Sequence, residues 1–187
     1  MRRLTNVIGF DDAPFGKDHR GDILLIGAVC SRTRLDGVVS GMIRRDGANS
    51  TDRMIELIQG TQFREHVRAV LLQGIAVGGF NVVDVRRLHE VLEVPVVVVA
   101  RRRPDFVSIR RALTSRVRGA DRKWALIRAA GEIERIGDVC VQRVGIERDE
   151  TLALLRATTL HGHIPEALRL AHIIAGGVTT GKSRGRA

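Results

Sequence analysis

The chain has 187 residues, 44% of them apolar, enough for one globular domain with a real core. Its 31 Lys and Arg against 21 Asp and Glu leave a formal charge of +10, carried mostly by arginine, which points to a polyanionic partner. With no Tyr and only six other aromatic residues, the composition argues against a surface that grips single strands mainly by stacking bases.

The first stretch, LTNVIGFDD at 4–12, is a short apolar run ending in two adjacent carboxylates, Asp11 and Asp12. In a strand they point to opposite faces. Carboxylates at the end of a buried strand need a cation, either a divalent metal or an arginine. The following DDAPFG equally suits a plain turn, so both readings stand. Asp22–Ser31, DILLIGAVCS, is apolar enough to be buried on both faces, and Val38 to Arg44 is predicted as a third strand. The links between these strands are too short for crossover helices, which predicts an antiparallel meander.

The pattern then changes. Asn49-Ser50-Thr51-Asp52 is expected to open a helix with Met54, Ile55, Leu57 and Ile58 as its apolar stripe. An acid such as Asp52 is also favoured there by the exposed amides alone. Val67 to Leu72 is predicted as a strand ending at Gln73-Gly74. After the glycine-rich GIAVGGF, Asn81 is expected to cap a helix carrying Val85 and Leu88, with Asp84 structural. Val94 to Ala100, VPVVVVA, is β-branched throughout and reads as a central parallel strand. Arg101, Arg102 and Arg103 follow it, where ligand sites of parallel sheets lie.

Helices are predicted over 105–136 with a break near Gly119, and Val139 to Val144 as a sixth strand or an insertion. Asp149 is expected to cap a helix reaching about Leu160, and a last helix should run from Glu166 to about Ala175. A single domain is thus expected over 1–176, with 177–187 a basic mobile tail. Gly176 to Ser183, GGVTTGKS, fits the P-loop spelling, but a helix precedes it and only RGRA follows. Nucleotide hydrolysis is rejected on that context, and Lys182 and Arg184 are expected to touch nucleic-acid phosphate instead. Cys30 and Cys140 sit in apolar runs and read as core thiols of a reducing compartment. No apolar run reaches membrane-spanning length, so no membrane partner and a cytoplasmic location are expected.

Three antiparallel strands, a helix, a parallel strand, a helix and another parallel strand define an α/β, ribonuclease H-like mixed sheet with flanking helices. In that arrangement the ends of the first and fourth strands, the first helix and the last helix converge. The residues at those places are Asp11, Gln73, Asp52 and His172. For His172, among Leu170, Ile173 and Ile174, a plain core or surface role is the competing reading.

Five blocks also resemble a known family: GFDDAPF at 9–15, RDGANSTDRMIELI at 45–58, LLQGIAVGGFNVVD at 71–84, VPVVVVARRRPD at 94–105 and GHIPEALRLAHIIA at 162–175. Together they are similar to the archaeal endonuclease dU family, distant relatives of endonuclease V. The resemblance implies a DNA endonuclease acting near uracil or hypoxanthine with Mg²⁺ or Mn²⁺, RNA being the alternative substrate. It places the first-strand aspartate on Asp11, a helix glutamate on the shorter Asp52, the late-helix histidine on His172, and a lysine on Arg101 or Arg102. The catalytic set implied is Asp11, Asp52 and His172, and the metal set Asp11, Asp12, Asp52 and Gln73. One departure stands out: endonuclease V has Asp-Gly where this chain has Gln73-Gly74. A neutral amide replaces a carboxylate there, and Asp12, Asp46 and Asp84 are the acids that could compensate. The alternative is a non-catalytic nucleic-acid-binding protein on a decayed nuclease scaffold.

Overall fold

The computed structural model describes residues 4–183. The apolar runs build one seven-stranded sheet in the order β3-β2-β1-β4-β7-β9-β8. β1 (Asn6–Asp12), β2 (Asp22–Ser31) and β3 (Arg34–Arg44) form the expected antiparallel meander. β4 (Ala69–Gln73) pairs parallel to β1, and β7 (Val96–Ala100) parallel to β4. β9 (Val139–Val144) joins β7 antiparallel, so that run is a strand of the main sheet, with β8 (Glu134–Ile136) at its edge. Residues 134–136 were expected to be helical. They pair with β9 instead, across a turn at Gly137 whose φ of 59° suits glycine.

Strand alternation sorts the core into two layers. Ile8, Phe10, Val70, Leu72 and Val98 meet Met54 and Ile55 of α1 (Ser50–Gln59) and Leu88 of α2 (Val85–Leu92). Val7, Leu71, Val97 and Val99 face the opposite way, onto α5 (Arg148–Thr158) and α6 (Glu166–Thr180). A smaller cluster joins α3 (Phe106–Arg116) and α4 (Ala120–Ala129) around Leu113 and Ile127.

The helix ends depart from expectation where side chains find tertiary partners. Asn81 caps nothing. It lies in a two-residue strand, β6 (Asn81–Val82), paired with β5 (Ala76–Val77) inside the glycine-rich stretch. Its amide accepts from Ser50 N–H at 3.1 Å and donates to Arg44 O and Asn49 Oδ1, each at 2.9 Å, tying β3, α1 and β6 together. Asp84 caps α2, accepting from Arg87 N–H. α5 starts two residues earlier than expected, capped by Glu147 rather than Asp149, in a capping box with Glu150. α6 continues through Gly176 and Gly177 to Thr180, into the stretch expected as a tail. Most of the P-loop-like letters therefore lie in a helix, the wrong context for cradling phosphate.

α6 reaches β1 because of Gly9. A Cβ at Gly9 would lie 2.6–2.8 Å from the backbone of Ala167 and Leu168. Gly9→Ala is accordingly expected to destabilise the protein by about 1–3 kcal/mol through overpacking. Urea unfolding measures this, and an unchanged midpoint would contradict the close approach.

Candidate active site

The backbone contact at Gly9 sets the register of α6 on β1. Four helical residues, Leu168 to His172, advance about 6 Å, and two strand residues, Gly9 to Asp11, advance about 6.6 Å. The two elements thus deliver His172 to Asp11, and their side chains meet: His172 Nδ1 lies 2.7 Å from Asp11 Oδ2. An ionised carboxylate only accepts, so Nδ1 is the donor, and Nε2 has no partner among the described residues. The Asp11 side chain is 13% exposed and that of His172 35% exposed, so the pair stands at the rim rather than in the core.

Gln73 joins them. Phe10 pairs with Leu72 in the parallel β1–β4 ladder, and the next step of that register sets Gln73 beside Asp11 on the same face. Its Oε1 is buried with no hydrogen-bond partner, an orphaned acceptor next to a carboxylate. Asp12 points to the opposite face. Burial pushes the Asp11 carboxyl above its usual range, opposed by the His172 hydrogen bond. Burial first, and then repulsion from Asp11, raise Asp12 from 3.8 to about 6. Two desolvated carboxylates beside an unsatisfied amide oxygen make a place where positive charge is welcome.

The raised Asp12 has a consequence for stability. The native state holds this proton more tightly than the unfolded chain, so Asp12 costs no stability below pH 3.8, and its penalty builds as pH rises from there through about 6. Asp12→Asn is expected to stabilise the metal-free protein above pH 6 by on the order of 2 kcal/mol. Thermal melts from pH 4 to 8 with chelator measure it. Equal pH dependence in both proteins would show that Asp12 carries no such penalty.

Of the acids that could stand in for the carboxylate missing at Gln73, two are occupied elsewhere. Asp84 caps α2. Asp46 accepts from Phe80 N–H at 2.7 Å and pairs with Arg45 at 3.3 Å, pinning the glycine-rich stretch. Asp12 alone neighbours Asp11. Asp52 does not come together with them: it lies half-exposed on α1, engaged by Arg87 of α2 at 2.6 Å. Among the described residues, no group of three or more His, Cys, Asp and Glu side chains is placed to hold a metal ion.

Arg101, Arg102 and Arg103 are exposed on the loop after β7, at the same carboxyl edge of the parallel strands as Asp11 and Gln73. Lys182 is exposed just past α6, and Arg184 lies outside the described residues. His163 pairs with Asp138 at 3.2 Å on the surface. Sequence reasoning missed an apolar cavity of about 230 Å³ beside Gly74, walled by Ile75, Phe80, Pro104 and Phe106. The available signal was Gly74 and Gly79, whose φ values of 86° and 83° let the backbone fold back around it. Among the described residues no helix is long and apolar enough to cross a membrane.

A mixed sheet of this order, with an acid ending its first strand and a late helix laid across it, is a ribonuclease H-like fold. Comparison with known proteins carries this further: the chain belongs to the endonuclease dU family, whose profile matches residues 3–179. A UPF0215 protein of Deinococcus radiodurans is 52% identical over 98% of this chain and 94% of its own length. A relative from Methanothermobacter thermautotrophicus is 42% identical over 100% and 94%. A crystal structure of an Archaeoglobus fulgidus protein superposes with a TM-score of 0.88 at 32% identity, covering 94% of this chain and 99% of the other. Ciona intestinalis endonuclease V, solved with DNA containing an inosine, shares the fold at a TM-score of 0.59 and 12% identity, covering 90% and 83%.

Proposed function

We propose that this protein is a divalent-metal-dependent DNA endonuclease of repair, nicking near a deaminated base, uracil or hypoxanthine. The Asp11–His172 contact beside the orphaned Gln73 oxygen carries the reading. The family's name and the inosine-containing DNA held by the Ciona relative support the lesion class. The apolar cavity next to Gly74 offers room at the same strand ends for a base taken out of its stack.

The donor set suits Mg²⁺ or Mn²⁺: all oxygens, with Asp11 and Gln73 on one face and the Asp12 charge behind them. Such ions bind through one or two carboxylates plus substrate phosphate and keep several waters. When bound, the ion would offset charge developing on the phosphate and make water more acidic. Asp52 is left out of the ligand set because Arg87 engages its carboxylate. Asp11 holds the imidazole through Nδ1, which leaves Nε2 to take a proton from the attacking water. Water oxygen bonds to phosphorus, the bond from phosphorus to O3′ breaks, and O3′ leaves with a proton. The products are a 5′-phosphate and a 3′-hydroxyl. Arg101 to Arg103 would meet flanking phosphates.

A second reading has its own observation. With Gln73 in place of an acid and Asp52 engaged by Arg87, the chain could bind nucleic acid without cutting it. Incubating labelled duplexes carrying uracil, hypoxanthine or no lesion with Mg²⁺ or Mn²⁺ decides between them. Nicking of a lesion-bearing duplex that stops with chelator is expected. Intact lesion duplexes under both ions would overturn the nuclease reading.

A further inference from the structure

The helical pair α3–α4 carries a feature that the site above does not use. Phe106, at the start of α3, meets Trp124 of α4 edge to face, with ring centroids 6.0 Å apart. A groove opens on either side of this pair. One, of about 410 Å³, is lined by Val107, Arg110, Arg111 and Thr114, and the other, of about 550 Å³, by Arg103, Arg128 and Glu132. Both fall in the size range of sites for small organic groups, roughly 300–1,000 Å³.

The charge on these grooves is one-sided. Among the described residues, Glu132 is the only acid lining either. Asp105, nearby, spends its carboxylate on Val107 N–H, Ser108 N–H and the Ser108 hydroxyl as the cap of α3. Among the described residues, Arg103, Arg110, Arg111 and Arg128 make no ion pair, unlike Arg87, Arg143 and Arg169. The Arg110 guanidinium stands 5.7 Å over the Trp124 ring, close enough for a cation–π contact. Val107, 80% exposed, adds an uncovered apolar wall.

Aromatic rings flanked by unpaired guanidinium groups match the two halves of a nucleotide, a flat base and an anionic phosphate. We propose that the Phe106–Trp124 pair is a stacking platform for an unpaired base of a single strand, whose neighbouring phosphates lie in the two arginine-lined grooves. A base in a duplex has its faces covered, so the platform selects single-stranded polynucleotide over duplex. The sparse aromatic content of the chain limits this to one local platform. Phe106 also walls the apolar cavity beside Gly74, which joins the platform to the proposed cutting site. The proposal rests on the nucleic-acid reading above, and its test separates the two.

Trp124 is the only tryptophan in the chain, so its emission reports on the platform directly. A labelled single-stranded oligodeoxynucleotide without lesion is titrated in chelator, following label anisotropy and tryptophan emission together across a salt series. Quenching that tracks the anisotropy is expected, with weaker binding and less quenching by a duplex of the same sequence. Trp124→Leu should weaken single-strand binding by about tenfold to a hundredfold, the loss of one stacked base. Because that change could disturb packing, Arg110→Ala with Arg111→Ala, both exposed, provides the second measure. It should make the log–log salt slope shallower by about 1.4. Binding with unchanged emission, or an unaltered slope, overturns the platform while leaving the nucleic-acid reading in place. Equal quenching by the duplex overturns its single-strand preference. Absence of any anisotropy change at low salt removes both.

Discussion

Asp11→Asn is expected to lower metal-dependent nicking by at least about a hundredfold while the protein remains folded. Asp11 has two tasks in the proposed reaction, and asparagine keeps only one. Its amide oxygen can still accept from His172 Nδ1, so the imidazole keeps its place. The charge is lost, and with it the attraction for a dication and the polarisation that makes Nε2 a better proton acceptor. Stability moves the other way. Burial already holds the Asp11 carboxyl above its usual pKa, so the native state resists its ionisation, and that resistance grows as pH rises. A neutral asparagine removes it, and the metal-free variant should melt no lower than wild type at pH 8. Nicking assays and thermal melts on the same preparations check both statements. Wild-type rates in the variant would show that Asp11 is not the residue the reaction depends on.

The path from sequence to site was legible where one residue has one local task. β1, β2, β4 and β7 announced themselves through continuous apolar runs, because a strand covered on both faces has no polar alternative. Asp11, Gln73 and His172 followed from strand order and the end of each element. What stayed hidden depended on contacts distant in sequence. Asn81 has the spelling of a helix cap, yet its amide bridges three segments, and only the folded chain shows that Arg44, Asn49 and Ser50 are its neighbours. Glycines at 176 and 177 each cost about 1 kcal/mol in a helix, which argued for an earlier end. The helix continues because Ala175 and Gly176 are buried and no stronger breaker follows before Gly181, whose φ of 73° ends it. Asp52 was expected at the site from its place on α1, and the structure sets its carboxylate against an arginine. Its partner, Arg87, lies on the next helix, and no local pattern ties the two. Gly9 reads as an ordinary strand glycine, although its missing side chain is what lets α6 bring His172 in.

Gln73→Asp is expected to change metal affinity and metal-free stability in opposite directions. The substitution places a third carboxylate beside Asp11, on the face that the β1–β4 register assigns to Gln73. Without metal, burial first and then repulsion from Asp11 already raise Asp12 to about 6. A third carboxylate should lower the melting temperature at pH 8 and leave it little changed at pH 4, where the carboxylates take up protons. With metal, each carboxylate at contact distance attracts a dication by several kcal/mol before solvation losses, about twice the ~4 kcal/mol for unit charges at an effective dielectric of 20. Even a small surviving fraction raises affinity for Mn²⁺ by tenfold or more. Added Mn²⁺ should therefore raise the melting temperature of the variant further than that of wild type, by mass action on the native state. Calorimetric titration and melts with and without Mn²⁺ test the pair of effects. A variant that loses stability at pH 8 but gains no affinity would place Gln73 next to Asp11 yet outside any metal site. A variant changed in neither respect would mean that its side chain does not face Asp11 at all.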